Sequence, residues 1–575
     1  MAEYLSPGVY VEEFESGAKP MEGVGTSTAG FIGLAEKGPV TGVPQLVTNF
    51  ADFRRMYGSY LSENEYGSYR FLSYAVEHFF INGGTRCFVM RVAPKTAKTS
   101  EAYAPDKAAA VMKITAKNPG VWGDGIRIVI APASKAKTQV FEVLDTKEGK
   151  KYLVKNGAGF VPGDVVSFVS AAGVELNRVV KNQDNIITFE QEFAADVVDK
   201  NLLPVNVITT CEFSMEVRFN EQVESFDNLS FNVQSPNYVD KRISKSELIT
   251  AQCLDNGKEI AAPFELLAGD EAVMTISLAS GSNGDIASVT AADFIGTDDG
   301  AGRRTGIQAF LDNDAVSLMA VPGVTDPNVQ LTLVAHCENL GSRFAVLDIP
   351  KDARKIDDIM GHRDIFDSNY AALYHPWLEV FDPLDKKNIA IPPSGSVLGI
   401  YARSDGTRGV HKAPANEVVR ACVGLDCQFN KGEQDILNPK GVNLIRSFPG
   451  MGIRVWGART ATSNGSWKYI NVRRLFIFLE ESIKANTSWA VFEPNDEVLW
   501  IRVQRTISVF LNNLWRNGSL AGQSPEEAFF VNIGRDTMSQ DDIDNGRLIC
   551  VIGVAPVKPA EFVIFRISQK TSDAE

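Results

Sequence analysis

Cysteine and histidine are scarce in this sequence, and neither residue type has the spacing of a metal site. Seven cysteines are scattered over 575 residues, and the closest pair, Cys422 and Cys427, has no second pair to complete a zinc site. The five histidines show no metal-ligand spacing either. We therefore expect buried, reduced thiols instead of a disulfide framework, with no bound metal and no cofactor.

Long apolar runs and basic clusters are also missing. No uninterrupted apolar run approaches the ~18 residues of a membrane-spanning helix, and the first residues lack the basic and apolar regions of a signal peptide. Acidic residues outnumber basic ones by 71 to 57, which gives a net charge of −14. These absences predict a protein that folds in a cytoplasm, binds no nucleic acid and does not insert directly into a membrane.

Each end of the sequence carries a strand-forming segment. Val9, Tyr10 and Val11 follow a Pro-Gly pair, and a Gly/Ser/Thr-rich stretch at 17–30 separates them from the first clear helix. At the other end, residues 547–555 resemble a buried strand, and a second apolar strand follows with Phe562, Val563, Ile564, Phe565 and Ile567. Such arms satisfy their backbone at a sheet edge, either of their own chain or of a neighbour.

Three kinds of pattern follow one another between these ends. Short β segments with Gly, Asn and Asp between them run from 111 to 232 and predict a sandwich or a small barrel. Strands and helices alternate from 235 to 401, which predicts a mostly parallel, doubly wound layer. The last part begins with helices at 471–484 and 496–516 and ends as β. The second helix has an apolar stripe at spacings of three and four, and Ser539 and Asp542 have the spacing of a capping box that opens a further short helix. The stripe consists of Leu499, Val503, Ile507, Phe510 and Leu514. The fold class is therefore α/β and β, multidomain.

Sequence blocks along nearly the whole chain resemble the phage tail sheath family. In order they are Ser6-Pro-Gly-Val-Tyr-Val-Glu-Glu13, Thr26 to Pro39, Phe79-Phe-Ile-Asn-Gly-Gly84, Cys87 to Val92, Asn118-Pro-Gly-Val-Trp-Gly-Asp-Gly125, Ser235-Pro-Asn-Tyr-Val-Asp240, Arg304-Thr-Gly-Ile-Gln-Ala309, Pro322-Gly-Val-Thr-Asp326, Arg473-Arg-Leu-Phe-Ile477, Phe492-Glu-Pro-Asn495 and Pro559-Ala-Glu-Phe562. Residues 134–206 carry little of the resemblance, as expected of an inserted domain that faces outward.

The resemblance implies a structural role. Subunits of this family stack as hexameric rings around a rigid inner tube, their terminal arms add strands to neighbouring subunits, and contraction drives the tube through a cell envelope. The implied partners are neighbouring sheath subunits, the inner tube protein, and baseplate and tail terminator proteins. The implied location is the tail of a virion, or a phage-tail-like particle such as a bacteriocin, assembled in the host bacterial cytoplasm.

The resemblance and the changes of pattern together suggest six segments. We expect an N-terminal linking arm (1–20), an N-terminal part of the sheath core (21–95), an inserted β-rich outer domain (96–232), a subtilisin-like α/β domain (233–405), a C-terminal core domain that faces the tube (406–555) and a C-terminal linking arm (556–575).

Two charged groups in the C-terminal part are candidates for contact with the inner tube. Arg473 and Arg474 lie on the first of its helices, and Asp541, Asp542 and Asp544 lie near its last helix. Complementary charge on a tube could set the register of a sheath. The alternative is that all five are ordinary solvated helix residues.

A subtilisin-like architecture invites a search for a Ser-His-Asp triad. Asp348, His362 and Ser396 occur in a suitable chain order, but Ser396 ends the sequence Pro392-Pro-Ser-Gly-Ser396, which has no protease-like nucleophile signature. We therefore expect no enzyme activity. The alternative, an α/β hydrolase whose arms only oligomerise it, predicts stoichiometric labelling of a serine by a fluorophosphonate.

Overall fold

The computed structural model describes residues 21–147, 149–170, 173–194, 197–198, 206–254, 260–269 and 271–564. The predicted arm residues Val9, Tyr10, Val11, Phe565 and Ile567 lie outside these ranges. Within them, no helix combines the length and the apolar character that crossing a membrane requires.

The first half of the chain begins with alternating strands and helices and continues almost entirely as β. The alternating part contains β1 (Ala29–Leu34), β2 (Gln45–Val47), α1 (Phe50–Tyr57), α2 (Glu63–Tyr66), α3 (Leu72–Asn82) and β3 (Cys87–Val92). The β part contains β4 (Glu101–Ala104), β5 (Met112–Ala116), β6 (Arg127–Ala133), β7 (Lys137–Thr146), β8 (Gly149–Val154), β9 (Val165–Ser170), β10 (Gly173–Gln183), β11 (Ile186–Phe189), β12 (Val207–Thr210), β13 (Glu212–Phe219), β14 (Gln222–Leu229), α4 (Val239–Ile243), β15 (Ile249–Cys253), α5 (Pro263–Ala268) and β16 (Met274–Ser277).

The second half returns to alternation and ends in a helical part. The alternating part contains α6 (Ala291–Ile295), β17 (Leu318–Ala320), α7 (Pro327–Leu340), β18 (Phe344–Asp348), α8 (Ile356–Arg363), β19 (Ala371–His375), β20 (Leu378–Asp382), β21 (Lys387–Ile391), α9 (Ser394–Arg408), β22 (Glu417–Val418), β23 (Gly424–Leu425), α10 (Lys431–Leu437), β24 (Val442–Phe448) and β25 (Gly452–Val455). The last part contains α11 (Ile470–Thr487), α12 (Glu497–Arg516), α13 (Pro525–Ala528), β26 (Phe529–Ile533), α14 (Gln540–Asp544) and β27 (Cys550–Val554).

The largest sheet has nine strands in the order β2-β3-β1-β17-β18-β19-β24-β25-β22. The strands from β3 to β24 in this order run parallel, and the outer strands β2, β25 and β22 pair antiparallel. The predicted parallel layer is thus present. Its parallel strands come from three chain segments, 29–92, 318–375 and 442–448, so it extends well beyond the region that alternates most clearly in the sequence.

Helices cover both faces of this sheet. In β1, Phe31 lies in an apolar core with α3 and α9, whereas its neighbour Ile32 lies in a second core with α7 and α8. Successive side chains of a strand point to opposite faces, so both faces of β1 are buried, and all six of its residues are inaccessible. This double burial explains why the strand is apolar without alternation.

α3 and α9 approach closely because α9 presents glycines to its partner. A Cβ atom at Gly395 would lie 2.4 Å from the backbone oxygen of Ala75, and one at Gly399 would lie 2.4 Å from that of Phe79. Both distances are shorter than van der Waals contact, so any side chain there would push the helices apart.

Two small sheets lie beside the central layer and share one apolar core. Their strand orders are β14-β13-β6-β16 and β15-β5-β4, and the core includes Trp122, Ile128 and Phe213. β15 and β16 pair with β5 and β6. Residues 249–277 are therefore joined to the β-rich part of the chain, although the sequence patterns suggest that the α/β domain begins at 233.

A closed barrel of order β10-β11-β8-β7-β12-β9 interrupts the hairpin of β6 and β13. It has an apolar core of its own, which includes Val140, Phe168 and Ile208. The chain enters and leaves the barrel at neighbouring points, because Ala133 and Glu212 are paired across β6 and β13. This is the small barrel that the spacing of the β segments suggests.

We expect the barrel to be removable without loss of the remaining fold. Replacing residues 135–210 with Asn-Gly, a pair that favours tight hairpin turns, should preserve the pairing of β6 with β13. The shortened chain should unfold cooperatively, with a thermal midpoint within about 5 °C of the parent protein. Calorimetry measures this midpoint. As a control, excising residues 212–229 should prevent folding, because Phe213 belongs to the shared core. If the chain without the barrel is unfolded, the prediction is wrong.

Candidate functional site: the anchored chain ends

The C-terminal layer is a helical hairpin packed on a two-stranded sheet. The predicted apolar stripe of α12 faces the core of this layer. Leu514 is partly buried there, and four other members of the stripe are buried, namely Leu499, Val503, Ile507 and Phe510. Asp496 caps the helix by accepting a hydrogen bond from the N–H of Leu499 at 2.9 Å. α11 contributes Leu475 and Leu479 to the same core.

Only part of the edges of the two-stranded sheet is free, because Gln504 Nε2 of α12 donates to the carbonyl of Val531 in β26 at 2.7 Å. Residues 529–533 of β26 pair antiparallel with residues 550–554 of β27, and neither strand pairs with another strand in the described ranges. Phe530 and Val551, one on each strand, are about half exposed. An unpaired strand edge presents backbone N–H and C=O groups that a further strand can satisfy. The edge of β27 is therefore the better place for this sheet to accept a strand from elsewhere.

Side chains of α11 hold the first described residues, 21–28, which we call the strap. The amide of Asn486 accepts from the N–H of Glu22 at 3.4 Å and donates to its carbonyl at 2.8 Å. Ser482 Oγ accepts from the N–H of Val24 at 3.1 Å. In this part of the strap the backbone is thus bonded by side chains of a helix and not by a neighbouring strand.

A buried ion pair fastens the other end of the strap. Arg474 Nη1 lies 2.9 Å from Asp405 Oδ1, and Arg474 Nη2 donates to the carbonyl of Thr26 at 3.0 Å. Asp405 Oδ2 accepts from Thr26 Oγ1 at 2.7 Å and from Ser27 Oγ at 3.3 Å. The guanidinium group also lies 4.8 Å from the ring centroid of Tyr401. Both charged side chains are 5% exposed or less.

Glu561 fastens the chain after β27. Its carboxylate accepts from Arg459 Nε and Nη2 at 2.9 and 2.6 Å, from Asn438 Nδ2 at 2.7 Å and from the hydroxyl of Tyr469 at 3.3 Å. Burial opposes ionisation here, but these donors hold the pKa of Glu561 below its ordinary value. The carboxylate is therefore charged at neutral pH and pins the backbone at this point.

α11 anchors both ends of the described chain. Besides the strap contacts of Arg474, Ser482 and Asn486, its Asn471 donates to the carbonyl of Val557 at 3.1 Å. The described residues beyond Glu561 form no strand in this chain. Their large apolar side chains are mostly exposed to solvent: Phe562 by 74%, Val563 by 68% and Ile564 by 79%.

Arg473 and Arg474, which the sequence suggests as tube-facing residues, are instead buried at 5% and 3% exposure. Arg474 forms the ion pair described above. Arg473 Nη2 lies 3.0 Å from Glu480 Oε1, and its guanidinium group lies 4.6 and 4.5 Å from the ring centroids of Tyr370 and Trp467. The tube-facing interpretation of this pair is corrected, because both positive charges are engaged inside the subunit.

The acidic residues near the last helix have two different roles. Asp542 and Ser539 form the predicted capping box of α14, and Asp542 also accepts from Arg547 at 3.3 Å. Asp541 and Asp544 are exposed. Asp542 is thus committed to its own helix, and a tube contact by Asp541 and Asp544 stays a prediction.

Asp348, His362 and Ser396 do not assemble into a triad. The Asp348 carboxylate accepts from the N–H and the hydroxyl of Ser394 at 2.9 and 2.7 Å, and His362 Nε2 lies 2.9 Å from Gln330 Oε1. No hydrogen bond joins any two of the three side chains in the described ranges. Those ranges also contain no acidic, His or Cys cluster that could hold a metal ion, and the cysteines form no disulfide.

The fold is a layered α/β core with β insertions, and both described ends of the chain are anchored on one helix. Comparison with known families shows which proteins share these features. Residues 289–461 match the phage tail sheath protein central domain, and residues 462–570 match the phage tail sheath C-terminal domain. The chain belongs to the phage tail sheath family.

Individual relatives resemble this chain in sequence or in fold. The tail sheath protein of Escherichia phage P2 is 24% identical over 289 residues, which are 48% of this chain and 70% of that protein. The contracted sheath of the extracellular contractile injection system PVC aligns over 99% of both chains, with 22% identity and a TM-score of 0.52. A sheath tail protein from Listeria innocua aligns over 93% of this chain and 96% of its own, with 10% identity and a TM-score of 0.53. These solved structures have the same fold.

Proposed function

We propose that this protein is the structural subunit of a contractile sheath. In this proposal the subunits stack as hexameric rings around an inner tube, and contraction drives the tube through a cell envelope. Family membership and the fold shared with a contracted sheath support it. The observation that carries it is the arrangement of the chain ends, which are fastened to α11 and continue as strand-forming sequence.

Each arm adds a strand to a neighbouring subunit in this scheme. The unpaired edge of β27 offers backbone groups for such pairing. An arm of this length forms about five backbone hydrogen bonds at roughly 1 kcal/mol net each, so a single arm is a modest contact. Head-to-tail contacts that do not close generate a helix, and many arms acting together along that helix make separation of subunits rare.

The proposed partners are other copies of this chain, an inner tube protein, baseplate proteins and a tail terminator. One matched structure, at 21% identity and a TM-score of 0.50, is the baseplate of the anti-feeding prophage, which supports the baseplate as a partner. The proposed location is the tail of a virion or of a phage-tail-like particle assembled in a bacterial cytoplasm. We also propose that the parallel layer has the subtilisin-like architecture that the family resemblance implies.

Removing residues 562–575 tests the C-terminal arm. Because Glu561 and its donors remain, we expect a folded monomer with an unchanged thermal midpoint that no longer forms tubes in sedimentation and negative-stain electron microscopy. Removing only the polar residues 569–575 is the matched control and should leave assembly intact. Normal tubes from the longer deletion would contradict a linking role for this arm.

A further inference from the structure

A buried cluster of charged side chains lies where the chain enters and leaves the barrel. Lys135 lies between β6 and β7, Asp164 directly precedes β9, and Glu212 is the first residue of β13. Lys135 Nζ lies 2.6 Å from Asp164 Oδ2 and 3.4 Å from Glu212 Oε1. One amine is therefore in contact with two carboxyl groups.

Further hydrogen bonds fix both carboxyl groups in place. Asp164 Oδ1 accepts from Asn232 Nδ2 at 2.8 Å. Glu212 Oε2 accepts from the backbone N–H of Lys135 and from Thr210 Oγ1, both at 2.8 Å. Within the described residues, Glu212 Oε1 has no hydrogen-bond partner, so this oxygen is available to carry a proton next to the amine.

The cluster contains more acidic than basic groups in a place that water hardly reaches. The side chains of Asp164 and Glu212 are each 1% exposed, and that of Lys135 is 12% exposed. An uncompensated buried charge is costly, and burial accordingly raises the pKa of Glu212 above its ordinary value. The cost of desolvating an ion pair also favours the neutral amine with a neutral carboxylic acid. These neutral forms are the reactants of amide formation.

We propose that Lys135 and Asp164 join in an intramolecular isopeptide bond, with Glu212 as the group that transfers protons. The neutral amine attacks Asp164 Cγ, which is bonded to the oxygen that lies 2.6 Å from Nζ. Glu212 takes a proton from the nitrogen and delivers a proton to Oδ2. The Nζ–Cγ bond forms, the Cγ–Oδ2 bond breaks, and one molecule of water leaves. Nothing is oxidised or reduced.

The surroundings distinguish this cluster from an ordinary ion pair. Fixed contact between amine and carboxyl group replaces a chance encounter, which greatly raises their effective concentration. Asn232 donates to Oδ1, where negative charge develops during the attack, and so stabilises the intermediate. Lys113 Nζ also lies 2.7 Å from Glu101 Oε2, but these side chains are 30% and 34% exposed. Water keeps both of them charged, so this second pair does not react.

The bond closes a covalent loop that contains β7 and β8. It joins the entrance of the barrel to the turn before β9, and these two strands lie between its ends. A cross-link of this kind restricts the unfolded chain and stabilises the barrel. The reaction occurs once in each chain and acts on no other substrate. It goes beyond the proposed sheath function and does not depend on it.

Intact-mass spectrometry of the denatured full chain tests this proposal. The parent protein should be lighter by one molecule of water than its sequence requires, and digestion should give a linked peptide pair that contains Lys135 and Asp164. Lys113 and Glu101 should appear in ordinary, unlinked peptides. A parent protein that keeps its full sequence mass after prolonged incubation at neutral pH overturns the proposal. A lost water that maps to other residues overturns it as well.

Three variants test the role of each group. Glu212→Gln keeps an acceptor for the Lys135 N–H and for Thr210 but cannot transfer protons, so it should retain the full mass. Lys135→Arg keeps the positive charge without the amine and should also retain the full mass. Asp164→Asn should lose ammonia instead of water and reach the same final mass as the parent. Loss of water from Glu212→Gln overturns the role of Glu212, and loss of water from Lys135→Arg overturns the bond. The mass of the parent decides the main claim even where a variant does not fold.

Discussion

Replacing Arg474 with alanine is expected to lower the free energy of unfolding by about 3–5 kcal/mol. The substitution leaves the Asp405 carboxylate, whose side chain is 5% exposed, without its cation. It also removes the donor to the carbonyl of Thr26. A buried charge without a partner costs far more than an exposed one, because water cannot replace the lost partner. Urea denaturation followed by circular dichroism measures the change.

Arg473→Ala is the matched control for this prediction. Glu480, the partner of Arg473, is 51% exposed, so water replaces much of the lost interaction. We expect a loss of about 1–2 kcal/mol, from the exposed ion pair and the aromatic stacking together. Arg474→Lys keeps the charge but not the bidentate geometry and should lie between the two. An Arg474→Ala protein as stable as its parent would contradict the role assigned to the ion pair.

Lowering the pH from 6.5 towards 4 is expected to destabilise the fold steeply, because most of the histidines are buried in their neutral form. Burial lowers the pKa of His78, His336, His362 and His375 to about 4, and the Arg343 cation adds to the effect at His336. The ordinary value is 6.5. Between these values the unfolded chain binds more protons than the folded one, so each histidine removes up to about 1.4 kcal/mol of stability per pH unit of acidification.

Buried carboxyl groups act in the opposite direction. Burial raises the pKa of Asp348 to about 6 and also raises the pKa values of Glu77 and Glu212. As the pH falls, the folded protein takes up these protons before the unfolded chain does, which favours the folded state. The two effects cancel only in part, since the histidines are more numerous. The net loss around pH 5 should be about 1–4 kcal/mol per pH unit.

Urea denaturation at pH 7.5, 6 and 5 measures this dependence. His362→Gln removes one titrating group and keeps an amide donor for Gln330. This variant should reduce the slope of unfolding free energy against pH by up to about 1.4 kcal/mol per unit. Equal unfolding free energies at pH 5 and 7.5 would show that the histidines are not buried as described.

Elements with a local cause could be predicted from the sequence. The apolar stripe of α12 repeats at helical spacing, and Ser539 and Asp542 form the predicted capping box, because helix periodicity and capping depend on residues a few positions apart. The parallel layer was also predictable in type. That the layer combines three separate chain segments could not be predicted, because nothing in residues 29–34 indicates that they pair with residues 318–320.

The anchoring contacts could not be predicted from the sequence, because they too join residues that are far apart along the chain. An arginine pair on a helix carries no signal that Asp405, 69 positions away, will bury one of its members. Likewise, nothing in the sequence around Asn486 indicates that its side chain binds the backbone of the strap. Glu561 falls in the block Pro559-Ala-Glu-Phe562 that carries part of the family resemblance, but nothing in that block indicates Arg459 as its partner.

Negative-stain electron microscopy of the purified protein, at low and raised concentration, tests most directly the claim that identical subunits polymerise through their ends. We predict hollow, helically striated tubes wider than one subunit, which become more numerous as the concentration rises. Deleting residues 2–16 should abolish the tubes and leave a folded, soluble monomer. Tubes that form equally well without these residues, or a parent protein that stays monomeric at every concentration, would contradict the account.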